Sequence, residues 1–199
     1  MTEQAPVLIL LFPFLTAMAV ALVGIKYKGV CWYLVLLSLA GSVCASFTTL
    51  TRVLENGTIR YFLGGWSPPF GIEFRIDGLN ALVAVTVSLV ALITALYSRE
   101  RVEAESSDKV SQYYTLFLLL IAGLLGIVLT GDAFNLYVLL EVSALTSYAL
   151  IAMGPKRATL AAFKYLIMGT IGASFYLLGV GYLYIKTGSL NIVDIQEQI

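Results

Sequence analysis

Two charged side chains lie within stretches of sequence that are otherwise apolar enough for a membrane. Glu141 stands near the middle of one such stretch, and Lys164 stands near the start of the next. A charge at the bilayer centre costs roughly 2.5–3.5 kcal/mol on insertion scales, so residues of this kind usually serve an ion or proton pathway. Tyr137 and Tyr148 lie one turn before and two turns after Glu141, and helical spacing puts both rings on its face. The pattern predicts a proton or cation relay through a carboxylate, tyrosine hydroxyls and water.

Each charged residue also has an alternative role. Glu141 has a stem too short to reach an interface, and its alternative is to hold helices together through an ion pair or a hydrogen bond. Lys164 is near enough to a helix end to extend to the interface, or it pairs with Glu141 across an axial offset of about 9 Å. Asp132 precedes the Glu141 stretch, where it either caps a helix or guards the outer mouth of the pathway.

The composition narrows the class of protein. The 199-residue chain is 59% hydrophobic and 12% charged, whereas soluble domains average about 25% charged residues. We therefore predict an integral membrane protein. The net charge is zero, so the sequence predicts no basic surface for nucleic acid, and the chain has no histidine. Cys31 and Cys44 are too few and too far apart for a metal motif.

No cofactor or metal is predicted for this chain. The sequence offers no nucleophile–base set, metal cluster or nucleotide loop, so a membrane enzyme is the least favoured class. Whether the chain belongs to a redox-driven oxidoreductase stays open, because any redox chemistry would lie in partner chains.

The predicted fold class is an all-α membrane protein that forms one domain over residues 1–199. A membrane-spanning helix needs about 20 mostly apolar residues, which gives six helices at about 6–25, 30–50, 78–97, 113–130, 133–153 and 158–185. Residues 51–76 are rich in Gly, Pro and Arg and predict a hairpin whose short strands, 59–63 and 72–76, flank GGWSPPFG. The charged stretch after the third helix predicts a solvated loop. The tail SLNIVDIQEQI predicts the start of an interfacial amphipathic helix.

Loop charges predict the orientation in the membrane. With the N-terminus outside, the inner loops carry Lys26, Lys28, Arg99, Arg101, Lys109, Lys156 and Arg157, and the outer loops carry Arg52, Arg60, Arg75 and Lys186. The positive-inside rule favours this arrangement. It places both termini and the hairpin on the extracytoplasmic side of the cell (inner) membrane. The first residues, MTEQAP, lack the basic group typical of a cleaved signal peptide.

Three runs of the sequence resemble a known family. They are LTGDAFNLYVLLEVSALTSYALIA, AAFKYLIMGTIGASFYLLGVGYLYIKTGSLNIVDI and LGGWSPPFGIEFRIDGLNAL. All three are similar to the antiporter-like membrane subunits of respiratory complex I, membrane-bound hydrogenases and Mrp cation/proton antiporters. The tail and the pair Lys164–Tyr165 look most like the Mrp D-type branch. The resemblance implies an extracytoplasmic hairpin, a functional fifth-helix glutamate at Glu141, and Lys164 on the same hydrophilic axis.

The resemblance also implies a function and a set of partners. Family members have about fourteen helices around two inverted repeats, and their fifth-helix glutamate works with a lysine on a broken seventh helix. This sequence resembles the N-terminal half alone, so we expect half of a transport unit. Either another integral membrane subunit supplies the remaining helices, or the chain is a truncated or split gene product within a larger complex. The leading hypothesis is a subunit that moves protons, or sodium, in a multisubunit membrane complex. The alternative is a structural subunit that packs against a full antiporter-like partner without transporting ions.

Overall fold

Six long helices form most of the molecule. The computed structural model describes residues 4–105 and 109–199. The helices are α1 (Ala5–Val23), α2 (Lys28–Asn56), α3 (Gly78–Glu105), α4 (Val110–Leu129), α5 (Ala133–Ala152) and α6 (Ala158–Thr187). Each is long and apolar enough to cross a membrane, with mean hydropathy between 1.5 and 2.5 over its spanning window. The chain is a multi-pass, all-α membrane protein, as its sequence predicts.

Two helices extend further than the apolar pattern predicts. The pattern predicts that the second helix ends near residue 50, but α2 continues to Asn56 and stops at Gly57, whose φ of 80° favours glycine. It predicts that the third helix ends near residue 97, but α3 continues to Glu105. Arg, Glu and Ala in this extension are good helix formers that do not need lipid. The prediction of a loop there is wrong up to Glu105, and residues 106–108 of that loop lie outside the described residues.

The first four helices enclose the main core. α1 packs against α2 and α4, and α2 packs against α3. Their shared interior holds fully buried side chains, among them Ile9, Leu39, Tyr114, Leu118 and Leu125. Beyond this core, α5 packs on α4 and α6 packs on α5. Only 6% of the spanning window of α6 is buried, so most of that helix faces lipid or other helices.

A small hydrogen-bonded layer covers one end of the helix bundle. Strand β1 (Ile59–Phe62) pairs antiparallel with β2 (Glu73–Ile76), which confirms the predicted hairpin. The layer continues beyond β2, because the amide of Gly131 donates to the carbonyl of Glu73 at 2.8 Å. The amide of Ile192 then donates to the carbonyl of Gly131 at 3.0 Å. The layer therefore joins the hairpin, the α4–α5 turn and the segment before α7 (Ile192–Gln198).

The fully buried carboxylate of Glu73 pins this layer together. It forms an ion pair with Arg60 on the paired strand, in which the guanidinium Nη2 lies 3.0 Å from Oε2. Asn191, the N-cap of α7, donates its side-chain amide to the same Oε2 at 2.7 Å. The hydrogen bond from Arg60 is the main cause that holds the pKa of Glu73 below its usual range. The hairpin and the C-terminal segment are thus fastened to each other through one charged group.

Candidate functional site

Glu141 lies midway along α5 and lines a cleft between α4, α5 and α6. The cleft has a volume of about 320 Å³. Its polar lining comes from Ser143 and Ser147 of α5 and from Tyr165 and Tyr176 of α6. The Glu141 side chain is half-buried, and across residues 4–105 and 109–199 no hydrogen bond or ion pair to its carboxylate is found. A carboxylate midway along α5 therefore faces a largely apolar cavity with a few hydroxyl groups, and it has no fixed partner in the described part of the chain.

Close contact between α4 and α5 sets the wall of this Glu141 cleft. A Cβ on Gly123 would lie 2.9 Å from the Cβ of Ser143, so glycine allows the two helices to approach. The hydroxyl of Ser143 donates to the carbonyl of Leu140 at 2.9 Å, and that of Ser147 donates to the carbonyl of Ser143 at 2.8 Å. Both serine oxygens keep lone pairs that can accept a hydrogen bond from water or from a protonated carboxyl.

Two pairs of tyrosine rings join α5 to α6 on either side of Glu141. Tyr137 stacks on Tyr176 with ring centroids 6.4 Å apart, and Tyr148 meets Tyr165 edge to face at 4.7 Å. The Tyr176 hydroxyl also donates to the carbonyl of Ala133 at 3.0 Å. Tyr148 lies close enough to Glu141 for the two side chains to interact electrostatically. The predicted tyrosines, Tyr137 and Tyr148, thus contact α6, whose own rings line the Glu141 cleft.

Sequence reasoning did not identify Tyr165 and Tyr176 as part of the site. They lie three helical turns apart on α6, a spacing that puts both rings on one face. This periodicity could have indicated them once α5 was placed beside α6.

Lys164 does not join the cleft. Its side chain is exposed, and within the described ranges no ion pair links it to Glu141. The cause is rotation around the helix axis: the next residue, Tyr165, faces α5, and adjacent residues on an α-helix point about 100° apart. The predicted Glu141–Lys164 pair is therefore not formed in this structure. Lys164 faces the open side of α6.

Asp132 caps the N-terminus of α5, as one of its two predicted roles requires. Its Oδ1 accepts a hydrogen bond from the amide of Asn135 at 2.6 Å, and the residue is buried. Burial raises the pKa of Asp132, although backbone amides of Asn135 and Phe134 oppose the shift. Asp132 also lies within electrostatic reach of Tyr176. It thus stands between the hydrogen-bonded layer at the hairpin end and the Tyr176 ring that lines the Glu141 cleft.

Comparison with known proteins identifies the family. Residues 130–199, which include Asp132, Glu141 and Lys164, match the family model described as "NADH:quinone oxidoreductase/Mrp antiporter, TM". The chain is also 44% identical to the NADH-quinone oxidoreductase subunit N of Desulforudis audaxviator, over 98% of this chain and 39% of that protein. The chain belongs to the antiporter-like membrane subunits.

Two further similarities describe the range of this family. The antiporter-like chain is 36% identical to the D-type subunit of the Na(+)/H(+) antiporter of Bacillus subtilis, over 74% of this chain and 30% of that protein. Its fold superimposes with a TM-score of 0.89 on a chain of the membrane-bound sulfane sulfur reductase, an archaeal respiratory membrane complex. That match has 31% identity and covers 96% of this chain and 39% of the other. The chain spans about two fifths of the length of the Desulforudis audaxviator relative.

The identities do not favour the D-type branch. Identity is 44% to the oxidoreductase relative from Desulforudis audaxviator and 36% to the antiporter relative from Bacillus subtilis. The predicted preference for the D-type branch, drawn from the tail and from Lys164–Tyr165, therefore gains no support from these two relatives.

Proposed function

We propose that this antiporter-like subunit forms part of a proton- or cation-translocating unit in a multisubunit membrane complex. Glu141 is the group that takes up and releases the ion. The observation that carries the proposal is the position of this carboxylate. It lies midway along a membrane-spanning helix, faces a largely apolar cleft that also holds serine and tyrosine side chains, and has no fixed partner among the described residues. A carboxylate held for packing alone would be expected to have a hydrogen-bond or ion-pair partner.

The chemistry of the Glu141 cleft suits reversible binding of a positive charge. In a medium of low dielectric constant an isolated carboxylate is costly, so it binds a proton or a cation unless another positive group approaches. The oxygens of Ser143 and Ser147 can accept hydrogen bonds from water that hydrates the ion. The hydroxyl of Tyr165 can donate to the carboxylate through such water.

The tyrosines and Asp132 mark the proposed route along α5. Towards the hairpin end, Tyr176 lines the Glu141 cleft and lies within electrostatic reach of Asp132. Towards the other end, Tyr148 and Tyr165 form the edge-to-face pair. We place Asp132 and Tyr137 on the outer half of this route and Tyr148 on the inner half. We place Lys164 on the part of the ion route that further membrane helices complete at the open side of α6.

The open side of α6 is the proposed docking surface for further membrane helices. A groove of about 500 Å³ on this side is lined by Tyr137 of α5 and by Ser174, Leu177, Leu178, Gly181, Tyr182 and Ile185 of α6. Small residues such as Ser174 and Gly181 allow close helix contact in membranes. The relatives are longer than this chain, which supports further helices at this surface, whether in a longer form of the same chain or in another subunit. We place the complex in the cell (inner) membrane.

A flux measurement separates transport from the structural alternative. The complex that contains this chain is purified with Glu141 or with Glu141→Gln and is reconstituted in liposomes that carry pH- and sodium-sensitive dyes. Glutamine keeps the shape of the side chain but removes its charge. We expect the variant complex to assemble normally and to lose ion-coupled flux. Full flux in a correctly assembled Glu141→Gln complex would leave the chain with a structural role only.

A further inference from the structure

A second cleft lies at the end of the helix bundle opposite the hairpin, between α3 and the end of α5. It has a volume of about 300 Å³. Its nine described lining residues are Thr94, Tyr97, Ser98, Arg101 and Val102 of α3, Tyr113 of α4, Leu150 of α5, and Met153 and Gly154 of the α5–α6 turn. None of these nine is acidic, and none belongs to the Glu141 cleft. This α3–α5 cleft therefore carries one positive charge and no negative charge on its described lining.

The polar side of the α3–α5 cleft is a single stripe along α3. Thr94, Tyr97, Ser98 and Arg101 are spaced three, four and seven residues from the first of them, which places all four on one helix face. Arg101 belongs to the part of α3 that continues beyond the apolar run. Because the helix continues, the arginine stays in line with the tyrosine one turn before it.

The hydrogen bonds within α3 decide which of these groups can donate to a ligand. The hydroxyl of Thr94 donates to a carbonyl of the preceding turn at 2.8 Å, and that of Ser98 does so at 3.0 Å. Each hydroxyl has a single hydrogen, so neither is left to donate. Arg101 and Tyr97 are exposed, and neither side chain has a hydrogen bond or ion pair among the residues that the structure describes. The donors that face a ligand are therefore a guanidinium group and a phenol.

The opposite side of the α3–α5 cleft is apolar. Leu150 lies in the last turn of α5 and Met153 follows its end. Beside them, Tyr113 stacks on Phe117 with ring centroids 6.2 Å apart. A ligand that fills the cleft thus meets donors for an anion on one side and hydrocarbon on the other.

The level of the α3–α5 cleft indicates the kind of molecule that carries both features. The apolar run of α3 ends near Tyr97, and α5 ends at Ala152. Tyrosine is enriched where membrane helices meet lipid headgroups. Basic pockets between membrane helices bind the headgroups of anionic lipids, and a guanidinium group matches two phosphate oxygens at once. An acidic segment of another subunit would also suit Arg101, but it would not suit the apolar wall.

We propose that the α3–α5 cleft binds the headgroup phosphate of an anionic phospholipid. Arg101 pairs with the phosphate, the Tyr97 hydroxyl donates to one of its oxygens, and Leu150 and Met153 contact the start of an acyl chain. The proposal goes beyond the ion-translocating function and does not depend on it.

Photolabelling of the complex that contains this chain tests the proposal at the cleft itself. The delipidated complex is titrated with phosphatidylglycerol that carries a photoreactive group near the start of one acyl chain, and the labelled peptides are identified by mass spectrometry. We expect label on the peptide that holds Leu150 and Met153. Unlabelled phosphatidylglycerol should compete for this position, whereas phosphatidylcholine with the same acyl chains and inorganic phosphate should not.

Variants of Arg101 separate specific pairing from general attraction to a basic surface. We expect Arg101→Gln to weaken labelling about tenfold and Arg101→Lys, which keeps the charge but loses the paired N–H groups, to weaken it about threefold. Lys26→Gln is the matched control. It removes one charge at the same end of the bundle, from a side chain that lies over the Tyr27 ring and outside the cleft, and it should leave labelling unchanged.

A further variant keeps the test independent of folding. Tyr97→Phe removes only the hydroxyl of a side chain that is 74% exposed, so the variant complex should fold and assemble like the native one. Losing one hydrogen bond to the phosphate should weaken labelling about threefold to fivefold.

Four outcomes would overturn the proposal. One is the absence of label at the α3–α5 cleft, and another is equal labelling in Arg101→Gln and Lys26→Gln. The third is equal competition by phosphatidylcholine or by inorganic phosphate, which would remove the selectivity for an anionic lipid. The fourth is loss of a neighbouring subunit from Arg101→Gln with unchanged labelling, which would assign Arg101 to a protein partner.

Discussion

The hydroxyl of Tyr148 fills the space beside Gly169 on the facing helix. A Cβ placed on Gly169 would lie 1.7 Å from the Tyr148 oxygen, far inside any allowed contact. The ring of Tyr148 is buried and meets Tyr165 edge to face. This contact sets how α6 is rotated against α5, and hence which α6 residues face the Glu141 cleft.

Gly169→Ala should therefore destabilise the α5–α6 contact. Forcing a methyl group against Tyr148 should cost about 1–3 kcal/mol, as overpacking does elsewhere. Gly179→Ala is the matched control, because a Cβ there meets nothing within 4 Å and both variants gain the same helix propensity. Thermal unfolding in detergent should show Gly169→Ala less stable than Gly179→Ala by that amount. Equal stabilities would mean that Tyr148 moves aside at no cost.

The Glu73 ion pair should make stability depend on acidity. Arg60 lowers the pKa of Glu73 in the folded protein, so the contribution of the pair is present above the unfolded value of about 4.3 and is lost as the pH falls through the lower folded value. Because Arg60 is half exposed, we expect Glu73→Gln to cost about 1–2 kcal/mol near neutral pH.

Thermal unfolding across a pH series checks this expectation. The gap in Tm between the native chain and Glu73→Gln should be constant near neutrality and should shrink as the medium becomes acidic. Glu55→Gln, which changes an exposed carboxylate at the end of α2, should show no such gap. A gap that stays constant down to strongly acidic pH would contradict the assigned role of the Arg60–Glu73 pair.

Asp132 allows its capping role to be separated from its charge. Asp132→Asn can still accept the bond from the amide of Asn135, whereas Asp132→Ala cannot and should lose about 1 kcal/mol of stability. If Asp132 also lies on the ion route, the asparagine variant should keep its stability but lose ion flux by at least about tenfold. Flux in liposomes and unfolding in detergent give the two readouts. Full flux in Asp132→Asn would assign Asp132 to helix capping alone.

Lys164 is expected to act across the open side of α6. Its side chain is exposed, so Lys164→Gln should change the free energy of unfolding by no more than about 0.5 kcal/mol. We expect the same variant to reduce flux several-fold, whereas Lys186→Gln at the end of α6 should leave flux unchanged. Equal, undiminished flux in both variants would exclude Lys164 from the route.

The sequence predicted the helices well because membrane thickness determines the length of each apolar run. It also indicated the hairpin and the cap at Asp132. It missed the ends of α2 and α3, because polar helix formers such as Arg52 and Glu100 continue a helix beyond lipid without any change in apolar pattern. The hydropathy of the sequence indicates where a helix leaves the lipid, but the helix can continue beyond that point.

The sequence predicts how deep Glu141 lies in its apolar run, but it does not predict how α6 is rotated about its axis. The position of Glu141 in its apolar run predicts that it lies far from either interface. Whether Lys164 faces it depends on the rotation of α6, which a distant contact between Tyr148 and Gly169 determines. Likewise, the bond between Asn191 and Glu73 joins residues 118 positions apart. Such pairs follow from the packing of the whole chain, and local spacing does not reveal them.

Infrared difference spectroscopy tests the role of Glu141 most directly. Spectra of the reconstituted complex are recorded before and after the ion gradient or driving reaction is applied. We predict a carboxyl band that changes as Glu141 gains or releases its proton or cation, that is lost in Glu141→Gln, and that is retained in Glu55→Gln. An identical difference spectrum in the native complex and in Glu141→Gln would contradict the account.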